Sequence, residues 1–137
     1  MADETAVRQT LEEYYRAFST LSVQAILPYL NEPALLVGPL GAIPLPIPSA
    51  VEPIFGPVME DLRTRGYVRS ELASLEIRIL GPESAFATGI AIRYRSDGEE
   101  LERAGISYLL RKTDGAWKFV VIVLHAEPSA PPIAAIS

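Results

Sequence analysis

Asp114-Gly115-Ala116-Trp117-Lys118-Phe119-Val120-Val121-Ile122-Val123-Leu124-His125 is the stretch whose reading decides the fold. A turn dipeptide is followed by a short aromatic-rich lead and then by six apolar residues in succession, Phe119 to Leu124. A strand with one wet face alternates polar and apolar side chains; an unbroken apolar run means that both faces are covered. The chain's own helices can cover one face, and a second copy of the chain is expected to cover the other. Upstream, residues 69–80, 84–95 and 100–112 have strand composition and are separated by Gly81-Pro82 and Asp97-Gly98. The second half therefore reads as four consecutive antiparallel strands.

The first half reads as helical. Val7, Leu11, Tyr14 or Tyr15, and Phe18 recur at helical spacing and predict a first helix over 5–19, with Asp3 as its cap. Ser22 opens a short second helix carrying Ile26, Leu27 and Leu30, and residues 34–37 form a short buried strand. Pro44, Pro46 and Pro48 fit an edge strand or a lid loop, because a central strand needs the N–H groups that proline lacks. Ser49 and Glu52 have capping-box spacing before Ile54, Phe55, Val58, Met59 and Leu62, which predicts a third helix ending near Gly66. Pro53 and Pro57 should strain its first turns. Helices followed by an antiparallel sheet define an α+β fold, here one domain over 5–125 and a loose proline-containing tail over 126–137.

Composition excludes several kinds of function. The 137 residues are 49% hydrophobic and 21% charged, with no apolar run near the ~20 residues that span a bilayer. No membrane association is expected. The acidic start, Met1-Ala2-Asp3-Glu4, lacks the basic character of a secretory signal, so a cytoplasmic setting is expected. Without cysteine there is no disulfide or thiolate, and a single histidine gives no basis for a metal site. No cofactor is expected. A net charge of −5, with 12 scattered Lys and Arg, offers no stripe for nucleic acid.

The segments VRQTLEEYYRAF, ILPYLNEPALLVGPLG, ESAFATGIAIRYR and YLLRKTDGAWKFVVIV resemble the nuclear transport factor 2-like, or SnoaL-like, superfamily. The resemblance covers residues 5–125 and implies three helices on a curved, mainly antiparallel sheet that encloses a cone-shaped cavity. Ketosteroid isomerase belongs to that superfamily. Its oxyanion-hole tyrosine falls on Tyr14, but its general-base aspartate falls on Gly38 and its second oxyanion donor falls near Ser107. Isomerase chemistry of that kind is therefore not expected, since base catalysis alone contributes typically ~10²–10⁴-fold.

The same resemblance implies that Phe86, Thr88, Ile90, Ile92 and Tyr94 face the cavity, together with Gly105, Ser107, Leu109, Val120, Ile122 and Leu124. The implied ligand site is Tyr14, Phe18, Phe55, Met59, Thr88, Ile90, Ile92, Ser107, Leu109 and Ile122, with Tyr14 the one candidate for catalysis. Few hydroxyls in an apolar pocket suit an uncharged hydrophobic molecule. Alternatively Phe18, Phe55 and Met59 fill the space, leaving a structural or partner-binding domain. His125 belongs by parity to the opposite face. There Phe119, Val121 and Val123 would join Ala87, Gly89 and Ala91 in an apolar stripe that a homodimer buries.

Overall fold

The computed structural model describes residues 2–126. Helix α1 spans Ala2–Ser19 and begins earlier than the spacing predicts, so Asp3 lies within its first turn beside Glu4. Carboxylates there meet the positive end of the helix dipole. Val7, Leu11, Tyr14, Tyr15 and Phe18 form its buried stripe. Helix α2, Val23–Ile26, continues into a single 3-10 turn, Leu27–Tyr29.

Helix α3 spans Glu52–Thr64 and buries Phe55, Met59 and Leu62. The capping box does not form: Ser49 lies in a preceding 3-10 turn, Val51 occupies the cap position, and no side chain caps the helix. Pro53 sets the start instead, since a proline is tolerated in the first turn where its missing N–H has no intrahelical role. Pro57 lies inside the helix.

Six strands follow the predicted order: β1 Leu30–Gly38, β2 Gly41–Leu45, β3 Tyr67–Gly81, β4 Ser84–Arg95, β5 Glu100–Thr113 and β6 Ala116–His125. They form one sheet in the order β2-β1-β6-β5-β4-β3, antiparallel except where β1 runs parallel to β6. The proline-rich segment is the edge strand β2, with Pro44 opposite Leu35. Apart from Ala126, the tail predicted for 126–137 lies outside the described residues.

Register decides which side chains meet the helices. Ala85, Ala87, Gly89 and Ala91 of β4 stand beside Ile79, Ile77, Leu75 and Leu72 of β3 and beside Leu110, Tyr108, Ile106 and Ala104 of β5. These rows supply the core and its partly buried margin beneath α1, which lies mainly along β3. The expected parity of β4 and β5 is thus reversed. Phe86, Thr88, Ile90, Ile92 and Tyr94, with Gly105, Ser107 and Leu109, alternate with the core rows and lie on the outer face. The reason is steric: α1 brings bulky rings down onto the sheet, so the small side chains must lie beneath it. Ala87, Gly89 and Ala91 consequently belong to the inner face and not to an outer stripe.

In β6 the register shifts by one residue between the pairs Leu109–Val121 and Leu110–Phe119. This bulge at Val120 reverses the parity of the strand before it. Phe119, expected outside, is fully buried in the core, whereas Ile122 and Leu124 keep the inward placement expected of them.

A second irregularity, between Leu72 and Ser74 of β3, lays backbone over Gly89, where a Cβ would stand 2.0 Å from the Ser74 carbonyl oxygen. Gly89→Ala should therefore cost about 1–3 kcal/mol in urea unfolding, as overpacking does. An unchanged midpoint would show that β3 does not cross so closely.

Candidate functional site

Between α1, α3 and the inner sheet lies a space of about 410 Å³. Tyr14, Tyr15 and Phe18 of α1 form one wall, Ile54, Phe55 and Val58 of α3 another, and Ile106, Tyr108, Ile122 and Leu124 its floor. Helical spacing sends the α1 rings to one side, and strand alternation sends Ile106 and Tyr108 up to meet them. Tyr14 stands edge-on to Phe119, centroids 4.8 Å apart, and Phe119 in turn contacts the Tyr108 ring at 4.6 Å.

The predicted site residues fall in three places. Tyr14, Phe18, Phe55 and Ile122 converge on the space. Met59 is packed into the core and borders a separate groove between α2 and α3. Thr88, Ile90, Ser107 and Leu109 are on the outer face, and Ile92, although buried, aligns with Glu71 and Arg103 outside the core cluster. They do not join the cavity, for the steric reason given above.

The outer polar side chains find one another instead. Thr88 Oγ1 and Ser107 Oγ are 2.8 Å apart, Ser107 Oγ lies 3.0 Å from His125 Nε2, and His125 Nδ1 lies 2.7 Å from the Ala126 carbonyl oxygen; at this end of β6 His125 and Ala126 also border the space. Gly105 makes room for the imidazole, since a Cβ there would lie 2.3 Å from His125 Cε1.

Inside, the polar groups differ from those expected. Tyr15 and Tyr108 share a hydrogen bond of 2.8 Å, and the Tyr67 hydroxyl lies 2.8 Å from Ser70 Oγ. Arg93 enters the wall from β4 with its guanidinium 5.4 Å from the centre of the Phe18 ring. Its Nη1 donates to Glu102 at 2.8 Å, Glu102 also holds Arg65, and Arg65 holds Asp61 at 3.0 Å. The Tyr14 hydroxyl has no hydrogen-bond partner among the described residues. Tyr15, Tyr108, Arg93 and Glu102 were not predicted as site residues. The β5 and β4 members become visible only once β-strand parity is known, although Tyr15 beside Tyr14 was a usable signal.

No carboxylate takes the place of either missing acid of the isomerase pattern. Gly38 ends β1, and the inward neighbours of Ser107 are Ile106 and Tyr108. Among the described residues no three His, Cys, Asp or Glu side chains cluster as metal ligands would.

Burial keeps the tyrosines neutral. It raises the Tyr14 and Tyr108 hydroxyls well above the ordinary phenol value and pushes Tyr15 up to about 12, with the Tyr108 hydrogen bond and the Arg93 charge only partly opposing it. Unfolded tyrosines ionise near ~10, so above that pH the unfolded chain loses protons that the folded chain retains. Stability from Tyr15 is full below about 10 and falls as pH rises towards about 12. Urea midpoints should decline through this window and decline less steeply in Tyr15→Phe. A flat profile would contradict the buried, neutral state.

Residues 3–127 match the family described as NTF2-like protein (DUF6841). No curated protein matches the chain. Among solved structures, the chain is similar to a Nostoc punctiforme protein of unknown function with a cystatin-like fold, at 17% identity and TM-score 0.77 over 95% of each chain. It is also similar to an NTF2-like protein from Novosphingobium aromaticivorans, at 14% identity and TM-score 0.77 over 98% of this chain and 88% of that one. These likenesses concern fold alone. With helices, sheet order and sequence match in agreement, the chain belongs to the NTF2-like family DUF6841.

Proposed function

We propose that this domain binds a small, predominantly apolar molecule between α1, α3 and the inner sheet, and that it works as a homodimer joined through the outer sheet face. One observation carries the binding reading: Tyr14 is 5% exposed, borders the space, and offers a hydroxyl that no described residue engages. The hydroxyl is not sealed off but opens onto the space, so an oxygen or nitrogen of a bound molecule can pair with it. The aromatic and aliphatic walls suit the remainder of that molecule. Without a general base in either isomerase position, binding is the activity assigned, and no reaction is assigned.

The assembly reading has its own support. Leu109 is 37% exposed on the outer face, where Val121 and Val123 remain half-buried beside Val37 and Leu35 of β1. Apolar area left in water costs about 25 cal/mol per Å², which a second copy would recover. A cytoplasmic setting without nucleic acid or membrane as partner completes the proposal; among the described residues no helix is long and apolar enough to cross a membrane.

Native mass spectrometry tests both parts. A dimer mass is expected, with uptake of an apolar fluorophore that Ala91→Trp, which fills the space from β4, abolishes while leaving the dimer intact. Val121→Glu should instead release monomers. Uptake that is undetectable in the wild type would favour a purely structural domain, and a persistent monomer would reject the dimer.

A further inference from the structure

We infer that the molecule held beside Tyr14 is an apolar monocarboxylate, with its acid group at Arg93 and its apolar body directed towards α3. This rests on the binding reading above and changes the ligand class that the sequence implies, from uncharged to anionic. Arg93 contributes a guanidinium to the cavity wall, which Glu102 and Arg103 also border, and its side chain is 24% exposed. Among the described residues one of its nitrogens, Nη1, is engaged by a carboxylate. A guanidinium carries five N–H donors in a planar fork suited to two-point carboxylate recognition. Most of that capacity is therefore free.

The partner of Arg93 is itself divided. Glu102 gives one oxygen to Arg93 and the other to Arg65, so a single negative charge is shared by two guanidiniums. The second carboxylate of the network, Asp61, holds Arg65 from the solvent side with a side chain 61% exposed. The field inside agrees. Arg93 favours the anionic form of Tyr14, Tyr15, Tyr67 and Tyr108 alike, and no carboxylate acts against it at any of the four. An isolated carboxylate would not enter an apolar space. With Arg93 and the unengaged Tyr14 hydroxyl as donors, it exchanges water for charge-assisted hydrogen bonds.

Titration calorimetry at neutral pH with a naphthalene carboxylic acid and its primary amide, which match in size and differ in charge, tests this. The acid should bind roughly tenfold or more tightly than the amide, the scale of a hydrogen bond to a charged group. Arg93→Gln should remove that advantage, weakening the acid far more than the amide. Glu102→Gln should do the reverse, tightening the acid alone, because it frees Arg93. Opposite changes from the two members of one ion pair do not arise from damaged folding, and matching thermal melts check this. Equal affinity of acid and amide for the wild type overturns the anionic ligand while the cavity remains a binding site. Absence of binding by both overturns the binding reading and this inference together. Should Arg93→Gln fail to fold, Glu102→Gln decides: tighter acid binding supports the inference, and unchanged binding overturns it.

Discussion

The structure depends on the packing of the aromatic stripe of α1 against the inner face of the sheet, where Tyr14 meets Phe119, Phe18 meets Tyr67 and Tyr15 meets Tyr108. Ala85 and Ala87 are fully buried there, and Gly89 and Ala91 continue the same row. A larger side chain at Ala85 or Ala87 would have to displace this packed core, whereas Ala91 borders the open space beside Tyr14, Tyr15 and Phe18. The same contact fixes the other face, because alternation along β4 leaves Phe86, Thr88 and Ile90 no inward direction. One packing requirement thus sets the cavity's floor, its tyrosines and the side chains left on the outer face.

Much of this architecture was legible in the sequence. The four long strands and their Gly81-Pro82, Asp97-Gly98 and Asp114-Gly115 turns lie where composition placed them, and the edge strand follows from Pro44. Facing was harder to read. In Ala85-Phe86-Ala87-Thr88-Gly89-Ile90 both alternate sets are compatible with burial, and assigning the bulky set to the core overlooked the volume that α1 already provides. The bulge at Val120 has no marker within a run of β-branched residues, so Phe119 was assigned to the wrong face. The helical residues Tyr14, Phe18 and Phe55 border one space, and helical spacing alone groups them in the sequence. Arg93 and Glu102 went unseen, since their meaning depends on parity.

The cavity's chemistry follows from its few polar groups. Neutral tyrosines supply hydrogen bonds without charge, Arg93 supplies charge without basicity, and Glu102 is held in ion pairs with Arg93 and Arg65. The isomerase's removal of a proton from carbon requires a base, which Gly38 does not provide. Thr88, Ser107 and His125, all partly buried, form a hydrogen-bonded chain from the outer face to the end of β6.

The face assignment is the central claim, and nuclear Overhauser contacts in isotope-labelled protein test it most directly. Contacts from the Tyr15 ring to Tyr108 and from Tyr14 to Phe119 are predicted, with Ser107 in contact with Thr88 and the His125 ring and with no residue of α1. Contacts from the α1 rings to Thr88 or Ser107 would contradict the inner face, and with it the cavity described above.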